Sequence, residues 1–494
     1  MRQLSSLDAQ FLNVENTTTV GHVGSLTLLD PSTAPAKELT LDRLRAVLEP
    51  RLHLVAPLRQ RLVTIPLGLG RPYWVDDPEF DIEFHLREVA LPPPGDAAQL
   101  GEQVARIHAR PLDRTRPLWE MYLIHNVEGG RQALYSKVHH AAIDGVSGAE
   151  ILATIMDVTI EPRVEQQLPD VWQPAELPGA ADLLLKGITA MATQPRDTVA
   201  TLPKALPHLA DLPGASLIPG VELISDLANA ATRWASGGAR GRSVGRRKLS
   251  TPKTPLNAPI TAHRRFAYGS LPLADIKEIK NAFGLTVNDV VMGLCTTALR
   301  RWLLDHDGLP QVPLVVAVPV SIRGGDQLDD ETPADHQLGN QVSVMLAAMP
   351  THLADPEDRL AEVALAMAEA KEQFDAVPAS ILQDVAAAIP TALSGLAAKA
   401  IFRMASVGAL PFNLFVSNVP GPQLPLYVGG ARVLALYPVS AITDFTGALN
   451  ITLFSYDGAL DFGLIACREL VPDVWGLVGY LRDALDELLE LTDA

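Results

Sequence analysis

A chain of 494 residues is longer than one core of usual size serves, and with 48% hydrophobic and 20% charged residues it has the make-up of a globular protein of two or three domains. Its 40 Lys and Arg against 57 Asp and Glu leave a formal charge of -17, which repels a polyphosphate backbone, so no nucleic-acid partner is expected. Cys295 and Cys467 are far apart in apolar runs and read as reduced core residues of a cytoplasmic protein, with no disulfide framework and no cysteine metal site.

The opening "MRQLSSLDAQFLNVEN" has one Arg and no apolar run of signal-peptide length, so no export signal is expected. Residues 19–30 alternate as a strand, and "LTLDRLRAVLEPRL" reads as a capped helix. "PYWVDD" and "FDIEFHLREVAL" predict strands, and "AAQLGEQVARIHAR" a helix. "WEMYLIHNV" and "GRQALYSKVHH" predict a strand pair turning at Glu128-Gly129-Gly130. Apolar Ile151, Leu152, Ile155 and Met156 then recur at helical spacing, which puts "HHAAIDG" at a strand-to-helix junction. From about residue 160 to 258, many prolines and short amphipathic pieces predict a linker with its own helices. It ends in a basic stretch, Arg233, Arg240, Arg242, Arg246, Arg247, Lys248 and Lys253, which suits a phosphate, an anionic membrane surface or plain solvation.

A second αβ run begins at "HRRFAYGSL" with strand, helix, turn and helix. In "LTVNDVVMG", Thr286 and Asp289 predict a capping box, which leaves Asn288 without a structural reason. Strands follow at "PLVVAVPVSIR" and "QVSVMLAAM", a helix at "RLAEVALAMAEAKEQF", four strands between "NLFVSNVPGP" and "DFGLIACREL", and a last helix "VWGLVGYLRDALDELLEL". The apolar stretch 385–415 is broken by Pro390, Lys399 and Arg403, so no membrane span is expected. The chain therefore reads as α/β (α+β), with an αβ domain over 1–160, a Pro-rich linker over 161–258 and an αβ domain over 259–494.

The paired histidines carry the chemical signal. His139-His140 beside Asp144 suits a base, a metal site or a packing role. Adjacent histidines at a strand end project in different directions and no third ligand is in view, so metal is disfavoured. Asp144-Gly145 forces a turn just after the strand, where function concentrates, and this favours one histidine facing a cavity.

"HHAAIDG" resembles the HHxxxDG motif of coenzyme A-dependent acyltransferases and condensation domains. More narrowly, the chain resembles the bacterial wax ester synthase/diacylglycerol acyltransferase family, through "LSSLDAQFL", "FDIEFHL", "RPLWEMYLI", "HHAAIDGVSG", "HRRFA", "TVNDVVM", "PVSIR", "LGNQVS", "SNVPGP", "PLYVGGARV" and "NITLFSYDG" in order. "VGHVGSL" departs from the Met-His that family members often carry before the glycine, which assigns His22 no role. The resemblance implies two αβ domains of the chloramphenicol acetyltransferase type meeting at a tunnel with His140 at its centre. Acyl-CoA enters from one face and the acceptor alcohol from the other.

On that basis His140 is expected to act as general base in transfer of a long-chain acyl group from acyl-CoA to diacylglycerol or a long-chain alcohol. No covalent intermediate is expected, and no "GxSxG" elbow is present. Acyl-CoA is a substrate, and neither a cofactor nor a metal is expected. His139 is expected to pack or bond into the fold, and Asp144 to hold the loop through an ion pair with Arg323 while Gly145 allows the bend. Asn288 is a candidate oxyanion donor or positioning group, and Asp289 a helix cap. Ser417, Asn418 and Gly421 of "SNVPGP" are candidates for a rigid substrate-binding loop, with an ordinary turn as the alternative. The other functional readings are a condensation-type enzyme using carrier-bound acyl groups and a lipid-binding relative without turnover. Insoluble substrates and amphipathic pieces around residues 218–235, with Trp234, point to a cytoplasmic protein held peripherally at the inner membrane face or at lipid droplets.

Overall fold

The structure is a computed structural model that describes residues 1–13, 15–66, 70–143, 151, 154–163, 177–179, 181–185, 249–321, 342–375 and 412–492. The first half runs β1 (Arg2–Gln3), α1 (Ser6–Asn13), β2 (His22–Asp30), α2 (Leu41–Leu48), β3 (Gln60–Val63), β4 (Tyr73–Asp76), α3 (Ile82–His85), β5 (Leu86–Ala90), α4 (Ala97–His108), β6 (Trp119–Val127) and β7 (Arg131–His139). The second half runs β8 (Arg264–Pro272), α5 (Leu273–Phe283), α6 (Val287–Asp305), β9 (Leu314–Ser321), β10 (Val342–Met349), α7 (Pro356–Asp375), β11 (Leu414–Val419), β12 (Tyr427–Val428), β13 (Ala431–Val439), β14 (Leu449–Tyr456), β15 (Ala459–Cys467) and α8 (Val474–Glu490).

Local chemistry accounts for where these elements begin and end. Thr40 opens α2 by accepting the Arg43 N–H, and the α-helix stops at Leu48 because Pro50 has no N–H to extend it. The rest of the predicted helix becomes a 3-10 turn over Glu49–Leu54. "FDIEFHLREVAL" also differs from its predicted single strand. Asp81 accepts the Glu83 N–H and winds Ile82–His85 into one helical turn, so the strand starts only at Leu86. Asp96 and Gln99 form a capping box at the start of α4, and Thr286 and Asp289 form one at the start of α6.

The strands make two six-stranded sheets and a small three-stranded one. The first sheet has the order β12-β13-β2-β7-β6-β5, the second β10-β9-β11-β14-β15-β8, and the small sheet β1-β4-β3. β12 and β13 come from the second half of the chain, yet β13 pairs antiparallel with β2, placing Tyr437 opposite Leu26 and Pro438 opposite Ser25. β13 also presses on the second sheet. A Cβ on Gly463 of β15 would stand 1.9 Å from the Pro438 carbonyl oxygen, so only glycine permits that approach. Beside it the buried Asp461 carboxylate accepts the Leu436 N–H at 2.7 Å and the Ser270 hydroxyl at 2.6 Å, tying β13, β15 and β8 together.

Three apolar layers hold the sheets. α6 lies buried among α7, α8 and the second sheet, with Val291, Leu294 and Trp302 excluded from solvent. Cys295 in the same helix is buried too, and burial pushes its thiol up to about 12. Leu44, Leu48, Trp74 and Trp119 centre the core behind the first sheet. Leu100, Val104 and Ile107 of α4 pack with Tyr135, Phe266 and Ile465 between the two sheets. Each such fully buried side chain contributes roughly 1.5–3 kcal/mol.

Among the described residues no single helix is long and apolar enough to cross a membrane. α5 and α6 reach that composition together, but they meet at 103° and face the core of the second sheet. The amphipathic pieces around residues 218–235, the basic residues from Arg233 to Lys248 and residues 385–411 lie outside the described residues.

Candidate active site

β7 delivers His139 as its last residue, and His140 opens a 3-10 turn, His140–Ala142. The His139 N–H stays bonded to the Leu118 carbonyl at 2.9 Å, so the strand holds its partner up to the turn. The two rings have different surroundings. His139 is 1% exposed, whereas His140 is half-buried.

His139 has its ring nitrogens engaged on both sides. Nδ1 accepts the Ala141 N–H at 3.1 Å, capping the turn, and Nε2 lies 3.1 Å from Glu15 Oε1 in a contact that is not aligned as a linear hydrogen bond. Glu15 is a hub. Its Oε1 accepts the Gly21 N–H at 2.6 Å, and its Oε2 accepts Arg114 Nη2 at 2.5 Å and Nε at 3.2 Å. Burial would raise the Glu15 pKa, but His139, Arg114 and the Gly21 N–H outweigh it and hold the carboxyl at about 2. Arg114 also donates to the Leu12 carbonyl at 2.7 Å, so it joins the end of α1 to this hub.

His140 is positioned by backbone and by stacking. Its N–H donates to the Gly21 carbonyl at 2.8 Å, and its ring stacks on Phe11 of α1 with centroids 4.0 Å apart and planes 18° apart. Gly21 is where these contacts converge. A Cβ there would come within 2.9 Å of the Phe11 carbonyl oxygen and 3.0 Å of His139 Nε2, so any other residue would wedge the loop away from the motif.

Behind the motif lies a sealed polar layer. His22 faces His139 across the β2–β7 ladder, and its Nε2–H donates to the carbonyl of His108, the last residue of α4. His108 Nδ1 and the Tyr135 hydroxyl share a 2.7 Å hydrogen bond. Lys137 is buried, donates to the Ile107 and Arg110 carbonyls at 3.2 and 3.1 Å, and pairs with Glu120 at 3.2 Å. The α4 C-terminal carbonyls, which lack helical partners, thus receive Lys137 and His22. Burial, then the charge of Lys137, pushes His108 down to about 3. Burial first, with His108 and Lys137 after it, holds His22 well below the usual histidine range. Both are neutral core groups, which gives the histidine of "VGHVGSL" a structural place.

Two family models match this chain. The wax ester synthase/diacylglycerol acyltransferase catalytic domain covers residues 4–291, and the WS/DGAT C-terminal domain covers residues 338–489. The chain belongs to the wax ester synthase/diacylglycerol acyltransferase family. It is an acyltransferase. Putative diacylglycerol O-acyltransferases of Mycobacterium tuberculosis are similar to it, one at 35% identity over 500 residues (100% of this chain and 91% of the relative). Another is 35% identical over 486 residues (98% and 99%). A wax ester synthase/diacylglycerol acyltransferase from Marinobacter aquaeolei VT8 has a similar solved structure, with TM-score 0.68, 31% identity and full coverage of both chains. The first condensation domain of the calcium-dependent antibiotic synthetase shares the fold at TM-score 0.53 and 19% identity, over 100% of this chain and 96% of that one.

In this acyltransferase the residues singled out from the sequence fall into three groups. His139 and His140 form the centre just described, and the residues gathered around them are Phe11 of "LSSLDAQFL", Gly21 of "VGHVGSL", and Glu15 and Arg114, which no motif signals. Asp144, Gly145 and Arg323 lie outside the described residues. The others belong to the second half. Asn288 is half-buried in the first turn of α6, while Asp289 accepts the Thr286 N–H at 2.9 Å and gives its own N–H to Thr286 Oγ1 at 3.2 Å. Ser417 and Asn418 are half-buried in β11, opposite Thr452 and Leu453, and the Gly421 N–H donates to Ser455 Oγ at 3.0 Å. Among the described residues no group of three or more His, Cys, Asp or Glu is placed to hold a metal ion.

Proposed function

We propose that this acyltransferase moves a long-chain fatty acyl group from acyl-CoA to diacylglycerol or a long-chain alcohol, with His140 as general base and no covalent acyl-enzyme. The carrying observation is the contrast within the pair. His139 is sealed between the Ala141 N–H and Glu15, while His140 is half-buried with its ring stacked on Phe11. A neutral imidazole so held can take the proton of the acceptor hydroxyl as its oxygen attacks the thioester carbonyl. The new C–O bond gives a tetrahedral oxyanion. Its collapse breaks the C–S bond, and the imidazolium returns its proton to the departing thiolate. Asn288 is the candidate donor to the oxyanion, and Ser417, Asn418 and Gly421 are candidate walls of the acyl path. Asp144 is the candidate to hold the motif loop, through an ion pair with an arginine such as Arg323.

The printed names of the relatives support an alcohol acceptor over a carrier-bound condensation partner. The proposal also concerns place. Acceptor and product are insoluble, so the enzyme works from the cytoplasmic side at the inner membrane face or at lipid droplets, held by the amphipathic and basic segments between residues 218 and 253. A labelled palmitoyl-CoA assay with diacylglycerol, hexadecanol or no acceptor tests the reaction. Labelled ester is expected with at least one acceptor, and no ester with either would overturn it. Label retained on the protein without acceptor would replace the direct transfer by a covalent route.

A further inference from the structure

We propose that Glu15 is the positioning residue of the catalytic turn: it holds His139 in the Nε2-protonated tautomer, and His139 in that form caps the turn on which His140 stands. The inference rests on the reading of His140 as the base and goes on to say what aims it.

The tautomer follows from the contacts. Ala141 N–H points at His139 Nδ1, so that nitrogen must offer a lone pair, and a neutral ring then carries its proton on Nε2. Nε2 faces Glu15 Oε1 at 3.1 Å, where a carboxylate charge favours a proton. The other tautomer is mismatched at both ends, with two N–H groups opposed at Ala141 and two lone pairs opposed at Glu15. The polarised pair thus selects the form that can cap the turn.

Glu15 reaches the same turn by a second route. Oε1 also receives the Gly21 N–H at 2.6 Å, and the Gly21 carbonyl receives the His140 N–H at 2.8 Å. Two successive amides of the turn, His140 and Ala141, therefore depend on one carboxylate oxygen. Oε2 is held by Arg114, which also binds the Leu12 carbonyl at the end of the helix that carries Phe11, the stacking partner of His140. A carboxamide in place of Glu15 has one oxygen and one NH2. Whichever way it turns, its NH2 meets donors, either Arg114 or the Gly21 N–H and the His139 Nε2–H. Glu15 acts through other residues and carries no proton of the reaction itself.

The test uses the full chain as wild type, Glu15→Gln and His140→Ala. Long-range 15N–1H spectra of protein labelled in the histidine rings read the His139 tautomer directly, and steady-state kinetics separate kcat from the KM for palmitoyl-CoA. The wild type is expected to show His139 protonated on Nε2. Glu15→Gln is expected to lose about ten- to a hundredfold in kcat, the scale of a small misplacement of a reacting group, with KM within about twofold. A wild-type His139 protonated on Nδ1 overturns the proposal even if the variant does not fold. So does a Glu15→Gln protein with wild-type kcat, or one that loses kcat while His139 keeps the Nε2 proton. His140→Ala separates the two levels. Wild-type turnover by that variant removes the base reading itself, whereas an inactive His140→Ala beside a fully active Glu15→Gln removes only the role of Glu15.

Discussion

Replacing Asp461 by Asn is expected to stabilise the protein at neutral pH, against the usual direction for a buried polar substitution. Asp461 is fully buried, and burial drives its carboxyl up from the ordinary 3.8 to about 6, although the Ser270 hydroxyl and the Leu436 N–H work against that rise. Between those two values the folded protein keeps a proton that the unfolded chain releases. Stability from this group is therefore full below about pH 4 and is lost as pH rises through about 6. At about 1.36 kcal/mol per pKa unit the loss is roughly 3 kcal/mol above pH 7. Asn removes the charge and keeps the geometry, with its oxygen on the Leu436 N–H and its NH2 on Ser270 Oγ, which can still donate to the Tyr437 hydroxyl 3.3 Å away. Unfolding entropy of about 2.1 cal/mol/K per residue makes 3 kcal/mol worth roughly 3 °C in a chain of 494 residues. Thermal midpoints of both proteins across ~pH 4 to 8 check it. The variant should match the wild type near the acid end and exceed it by about 3 °C at the neutral end. A difference that does not change with pH, or a lower midpoint at neutral pH, refutes the reasoning.

His140→Ala should fold, bind acyl-CoA and lose roughly a hundredfold to ten thousandfold in rate, while His139→Ala should also lose thermal midpoint, and normal turnover by folded His140→Ala would sink the mechanism. Asp144→Asn should lower rate and midpoint together; a collapse in rate with midpoint and acyl-CoA affinity intact would make Asp144 an orienting group for the imidazole. Asp157→Ala should cost about 3–5 kcal/mol in a urea titration, because it strands Arg51, which is 1% exposed and bonded to both Asp157 oxygens at 2.9 and 3.0 Å. Replacing Arg240, Arg242, Arg246, Arg247 and Lys248 with Gln should weaken flotation on anionic liposomes, most at low salt, and leave the KM for a short soluble acyl-CoA unchanged; the reverse would assign the patch to coenzyme A.

What the sequence made legible was local, and what it hid was between segments. Short apolar runs on either side of the Glu128-Gly129-Gly130 turn mark β6 and β7 and helical spacing marks α4, because each pattern closes within about ten residues. HHxxxDG is legible for the same reason. "ARVLALYPVS" also reads as a strand, yet its alternation cannot say that it leaves the second half to pair with β2. Glu15 sits in "NVEN", with no spacing that relates it to His139. The two hidden features share a cause. Where β13 bulges between Val433 and Ala435 and crosses toward the second sheet, the Leu436 N–H is met by Asp461. Where the chain enters β2, ahead of the ladder, the Gly21 N–H is met by Glu15. A buried backbone N–H that no ladder satisfies must find an acceptor, and a carboxylate from a distant segment can supply one while its second oxygen binds a third segment. At Asp461 the Leu436 N–H joins the sheets while the second oxygen takes Ser270 of the adjacent strand β8; at Glu15 the second oxygen takes Arg114 and joins α1 to the motif. The same device therefore sets the frame in one place and the turn of the histidine motif in the other. In both the acidic residue is visible in the chain and its partner is not, because the partner is chosen by the crossing of segments.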